Sequence, residues 1–188
     1  QLVSNHPETT AAEKGQYQRG RIAVLRDSLD RARLLFSRLA ANAQSSDLAD
    51  QAQYELALLH FYQGEFDATA ARAASISENP SADVANDAIA LKTLLQEARG
   101  PDSLDTPLRT FARVRLYERQ HAYGRALDSL DALLRRHPPH PLAADARLPR
   151  ATIPLSLHSP PAALAAFRAV PAPPPPCPVP PPRPYPAP

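Results

Sequence analysis

The chain has 188 residues with 44% hydrophobic content, enough to bury the core of one ordinary domain. Its formal charge of +2, with no lysine-arginine cluster interleaved with aromatics, leaves no electrostatic footprint for nucleic acid. No apolar run reaches the roughly eighteen residues a membrane helix needs, and the single cysteine, Cys177, can form no internal disulfide. Of the 23 prolines only seven precede residue 149, so sixteen crowd into the last forty positions. Three regions follow: an N-terminal flank over 1–14, a foldable region over 15–148 and a proline-rich tail over 149–188. Methionine is absent even at position 1, so the chain is expected to be a fragment or processed product, with any signal peptide or lipid anchor upstream of Gln1.

Taken in order, the foldable region repeats two short patterns. Leu or Val, then Ala and a further Ala, opens "SDLADQAQ" from Ser46, "ADVANDAI" from Ala82 and "HPLAADAR" from His140. A bulky anchor opens the other pattern at Leu29, Phe66 and Tyr123, which precede Leu48, Val84 and Leu142 by 19, 18 and 19 residues. A phase kept three times points to repeated helical hairpins. In the first copy Ala32, Leu35, Phe36, Leu39 and Ala40 fall on one stripe of a 3.6-residue helix; in the last, Ala126, Leu127, Leu130, Leu133 and Leu134 do the same. Gln51 to Tyr62 and Arg113 to Gln120 supply preceding helices, with turns at Gln63-Gly64 and His121. Asn79-Pro80 and His137-Pro138-Pro139 end the second helices, because proline cannot continue the backbone ladder. The 57 residues from Phe66 to Tyr123 predict an extra helix over Asp83 to Ala98, the connector "RGPDSLDTP" and a helix over Leu108 to Gln120. The expectation is an all-α fold of about seven antiparallel helices, with no strand-like alternation.

These residues resemble the tetratricopeptide repeat family, whose repeat of about 34 residues pairs Leu with Gly or Ala in its first helix and ends with Pro. Leu56-Ala57, Phe66 and Pro80 match in one copy, Tyr117, Tyr123, Ala126, Leu130 and Pro138 in another, and Gly20, Ala32 and Phe36 in the first. His60 stands where the family prefers Tyr, and Thr69 where it prefers Ala. The linker "HPPHPLAADA" is similar in style to bacterial envelope members such as outer-membrane assembly lipoproteins and the Tol-Pal accessory protein. That resemblance implies a periplasmic or outer-membrane setting rather than the cytoplasm.

At Leu148 the regular design is expected to stop. Pro149, Pro154, Pro160 and Pro161 should forbid the helix that "PLAADARL" begins, leaving the stripe around Leu130 and Leu134 incompletely covered. After Asp145 there is no Asp, Glu or Lys, a joint loss expected if the reading frame has shifted in a GC-rich gene. The rival reading is a genuine polyproline tail, with "PPPRPYP" as a groove ligand.

Catalytic grammar is missing. No GxSxG, P-loop or GxGxxG occurs, and no cofactor is expected. His137 and His140 flank a proline turn without Cys or carboxylate company, so they read as loop rather than metal ligands. His60 and His121 read as structural, while Asp27-Asp30 and Asp128-Asp131 read as solvated helix faces. By resemblance, ligand-facing positions lie on the first helix of each pair. They fall on Lys14, Tyr17 and Arg21; on Gln51, Tyr54, Leu58, Phe61 and Tyr62; and on Phe111, Arg115 and Arg119. The resemblance implies a non-catalytic scaffold holding a protein or peptide partner. The alternative is a repeat that only spaces other parts of a larger exported protein, which full burial of Tyr54, Phe61 and Phe111 would favour.

Overall fold

The computed structural model describes residues 9–43, 45–78, 84–99, 105–138, 140–156 and 160–168. The described residues form nine helices and no strand: α1 Thr10–Leu25, α2 Leu29–Asn42, α3 Ser46–Gln63, α4 Phe66–Ser77, α5 Ala85–Ala98, α6 Thr106–Arg119, α7 Tyr123–Arg136, α8 Leu142–Ser156 and α9 Pro160–Arg168. Residues 1–8, Asn79-Pro80, Asp83, Pro139, most of the "RGPDSLDTP" connector and the string 169–188 with Cys177 and "PPPRPYP" lie outside the described residues.

Helix starts follow local chemistry. Thr9 Oγ1 accepts from the Ala12 amide at 3.2 Å and Ser45 Oγ from Leu48 at 3.5 Å, each satisfying one donor that a first turn leaves open. The apolar stripes of α2, α4 and α7 bury Phe36 and Leu39, Phe66 and Ile76, and Leu130 and Leu133.

Three hairpin turns share one geometry. Asp27, Gly64 and His121 each stand two residues before an anchor and adopt left-handed backbone, with φ of 59°, 76° and 56°. The amide of each bonds the carbonyl three residues back, and the next amide reaches five residues back, as in Ser28 to Ala23 at 2.8 Å and Ala122 to Tyr117 at 2.8 Å. That pair of bonds closes a helix end by the Schellman pattern.

Packing is mostly sequential: each of α1 to α4 packs on the next helix, as does each of α6 to α8. The most extensive non-sequential contact places the site, because α6 packs on α3 rather than simply continuing from α5. One core gathers Val24, Phe36, Leu39, Leu56 and Leu59 with Leu116 of α6; a larger one joins Phe61 and Phe66 to Leu95, Phe111, Leu130 and Ile153.

The expected stop at Leu148 is not where the helix ends. Helix α8 runs to Ser156 with Pro149 and Pro154 inside it, and α9 begins at Pro160. An interior proline costs about 3 kcal/mol against alanine. Here Leu142, Ala146, Ala151 and Ile153 are buried on the same helix, and Arg150 Nε bonds Asp131 Oδ1 of α7 at 2.5 Å, so tertiary packing offsets the lost ladder bonds. Pro160 and Pro161 fall in a first turn, where the missing N–H has no helical partner to lose. The stripe expected to stand open is largely covered: Leu130 is buried and Leu134 half-buried, with α8 packed on α7.

Candidate functional site

Five helices converge on a groove of about 900 Å³. Helix α1 contributes Tyr17 and Arg21, α3 contributes Tyr54, Leu58, Phe61 and Tyr62, and α6 contributes Phe111, Arg115 and Arg119. Lys14 and Gln51 do not line it; each sits one turn nearer its helix N-terminus, Lys14 exposed and Gln51 half-buried.

Helices α5 and α8 add what the repeat pattern did not indicate. Asp87, Ala90, Leu91 and Leu94 come from α5, and Asp145, Leu148 and Pro149 from α8. The stop expected at Leu148 hid the second set. The first was hidden because α5 is the extra helix, for which the repeat pattern assigns no ligand face. Glu55 and Glu118 also line the groove. Glu55 carried a signal: it falls within the apolar stripe Ala52, Leu56 and Leu59, where a carboxylate needs partners.

Those partners come from two other helices. Tyr17 donates to Glu55 Oε1 at 3.1 Å and Arg119 donates to the same oxygen at 2.6 Å, while Glu55 is only 5% exposed. The carboxylate therefore ties α1, α3 and α6 together through charge-assisted bonds. Burial works against charge on Arg119, yet its bonds to Glu55 and Tyr62 outweigh this and raise its pKa. Burial, and then the Glu55 charge, push the Tyr17 hydroxyl up to about 12. Burial, and then Asp87, do the same at Tyr54, also to about 12. Burial raises Tyr62 as well. Arg115 bonds Glu118 at 3.3 Å, but desolvation dominates and raises the Glu118 carboxyl.

The groove thus has an apolar floor and a polar wall. Phe61 and Phe111 are core residues; Tyr17, Tyr54, Leu58 and Tyr62 are half-buried, and Arg21 and Arg115 are exposed. Among the described residues no three His, Cys, Asp or Glu side chains come together as metal ligands would. Two of the described histidines serve local structure: His60 bonds Glu65, lowering the Glu65 carboxyl, and His140 Nδ1 accepts from the Leu142 amide at 3.2 Å at the start of α8. No helix described is long and apolar enough to cross a membrane.

Compared with models of known protein families and with curated proteins, the chain matches none.

Proposed function

We propose that the chain is a non-catalytic interaction module of tetratricopeptide-like design that holds a protein or peptide segment in this groove. One observation carries the reading: half-buried tyrosines, Leu58 and exposed arginines from separate helices border a single apolar-floored groove. Tyrosine and arginine anchor partners by large contact area and bidentate carboxylate pairing. A bacterial envelope setting accompanies the reading, on the style of the repeat linkers alone.

The test is selection of displayed random peptides on the full chain, with affinities then measured for Leu58→Asp, Tyr54→Ala and Ser75→Ala, the last an exposed residue of α4 that does not line this groove. Groove binding predicts a loss of about tenfold or more for the first two and none for the third. Selected peptides indifferent to Leu58 and Tyr54 would overturn it.

A second reading, a structural spacer, has its own observation. Phe61 and Phe111 are buried, and Arg115 and Arg119 are already paired with Glu118 and Glu55. Under that reading groove substitutions change stability and no selected peptide depends on them.

A further inference from the structure

Seven charged side chains line the groove: Arg21, Arg115 and Arg119 against Glu55, Asp87, Glu118 and Asp145. Two pairs cancel internally, Arg119 with Glu55 at 2.6 Å and Arg115 with Glu118 at 3.3 Å. What remains is Arg21, which donates to Gln18 at 3.4 Å, and the two aspartates, both exposed and without an ion pair among the described residues. A chain of net charge +2 thus lines its groove with an excess of acid.

The two carboxylates are placed alike. Asp87 lies in the first turn of α5 with Ala90, Leu91 and Leu94 at i+3, i+4 and i+7; Asp145 lies in the first turn of α8 with Leu148 at i+3. Each therefore shares a helix face with apolar groove surface one turn on. Leu148 is 58% exposed although it faces the groove. A position near a helix N-terminus by itself favours an acid. The groove location is separate: Asp87 raises the Tyr54 hydroxyl across from it on α3, so its charge is felt inside the groove.

Resting on the groove reading above, we infer that the occupant is a peptide from another protein, with an aliphatic anchor flanked by lysine or arginine. The anchor lies on Leu94 and Leu148, and the cations face Asp87 and Asp145. Charge of the opposite sign at Arg115 and Arg119 is already used, so an acidic peptide finds only Arg21.

The probes are three fluorescent leucine-centred decapeptides identical except for flanking Lys and Arg, Gln, or Glu, titrated into the full chain at low and high salt. The basic probe is expected to bind about threefold to tenfold tighter than the neutral one, with the acidic one weakest, and the order to flatten in high salt. Asp87→Asn with Asp145→Asn should bring the basic probe down to the affinity of the neutral one, and the double exchange to lysine should reverse the order. If the neutral probe binds and Leu58→Asp abolishes it, yet the basic probe gains nothing, the charge inference falls and the groove reading stands. If no probe depends on Leu58, both fall. A free peptide of residues 169–188 that outcompetes the basic probe would make the chain's own tail the occupant and overturn the inference. A dimer broken by Leu148→Asp would do so in favour of a second copy.

Discussion

At Glu55 the sequence places a carboxylate in an apolar stripe, and the structure answers it with Tyr17 and Arg119. The surrounding tyrosines take the electrostatic consequence. Tyr17 and Tyr54 hold their protons up to about 12 in the folded chain, whereas unfolded tyrosine ionises near 10. Above that lower value the unfolded chain binds fewer protons than the folded one, so this stability is complete below about 10 and lost as pH rises toward about 12. Tyrosinate absorbance of the folded chain near pH 11 should lack Tyr17 and Tyr54, and gain them when denaturant is added. A folded chain whose six tyrosines all titrate together near 10 would contradict the arrangement. Residue-level legibility was uneven for a physical reason. Aromatic and arginine positions on α3 and α6 follow helical period, but whether Phe61 faces solvent or core depends on where α5 and α8 lie. Thr69 shows the same limit: it replaces an expected small residue, yet it is buried because its hydroxyl donates to the Glu65 carbonyl at 2.9 Å.

The elements themselves were more legible, because anchor phase and proline punctuation are local signals. Seven of the helices follow from them. Helix α8 extends past its expected stop because burial of Ala151 and Ile153 is a tertiary term that a proline count does not contain. The three equivalent turns allow a test of opposite sign. At His121, φ is 56° and the side chain is exposed, so His121→Gly removes left-handed strain and should stabilise by about 0.5–1 kcal/mol, after loss of the 2.9 Å contact with the Tyr123 hydroxyl. At Gly64, φ is 76° and the Arg109 guanidinium fills the space a Cβ would take, so Gly64→Ala should cost about 1–2 kcal/mol. Urea denaturation of both variants decides it. Equal signs would mean that the turns are not equivalent.

At the scale of the whole molecule the question is whether the nine described helices behave as a string or as one body. A linear repeat array unfolds from its ends, since each unit meets only its neighbours. Here ties of long sequence separation intervene. Arg119 reaches Glu55 across 64 positions, Gln120 Nε2 bonds the Val24 carbonyl at 3.2 Å across 96, and Leu116 joins the core of α1 to α3. Together these ties make α1, α3 and α6 lose contacts when any one of them opens, so their amides should exchange hydrogen with one common free energy. Removing the Glu55 carboxylate leaves Arg119 without its buried partner and Tyr17 without its acceptor. Glu55→Ala should therefore cost about 3 kcal/mol, and it should let α1 and α2 open below the global free energy while α6 and α7 stay protected. Native-state hydrogen exchange reads both effects. If α1 already opens on its own in the unaltered chain, the ties carry little energy and the fold is a string. If Glu55→Ala lowers every helix alike, the coupling runs through the shared core instead, with Leu116 and Phe36 as the next residues to cut.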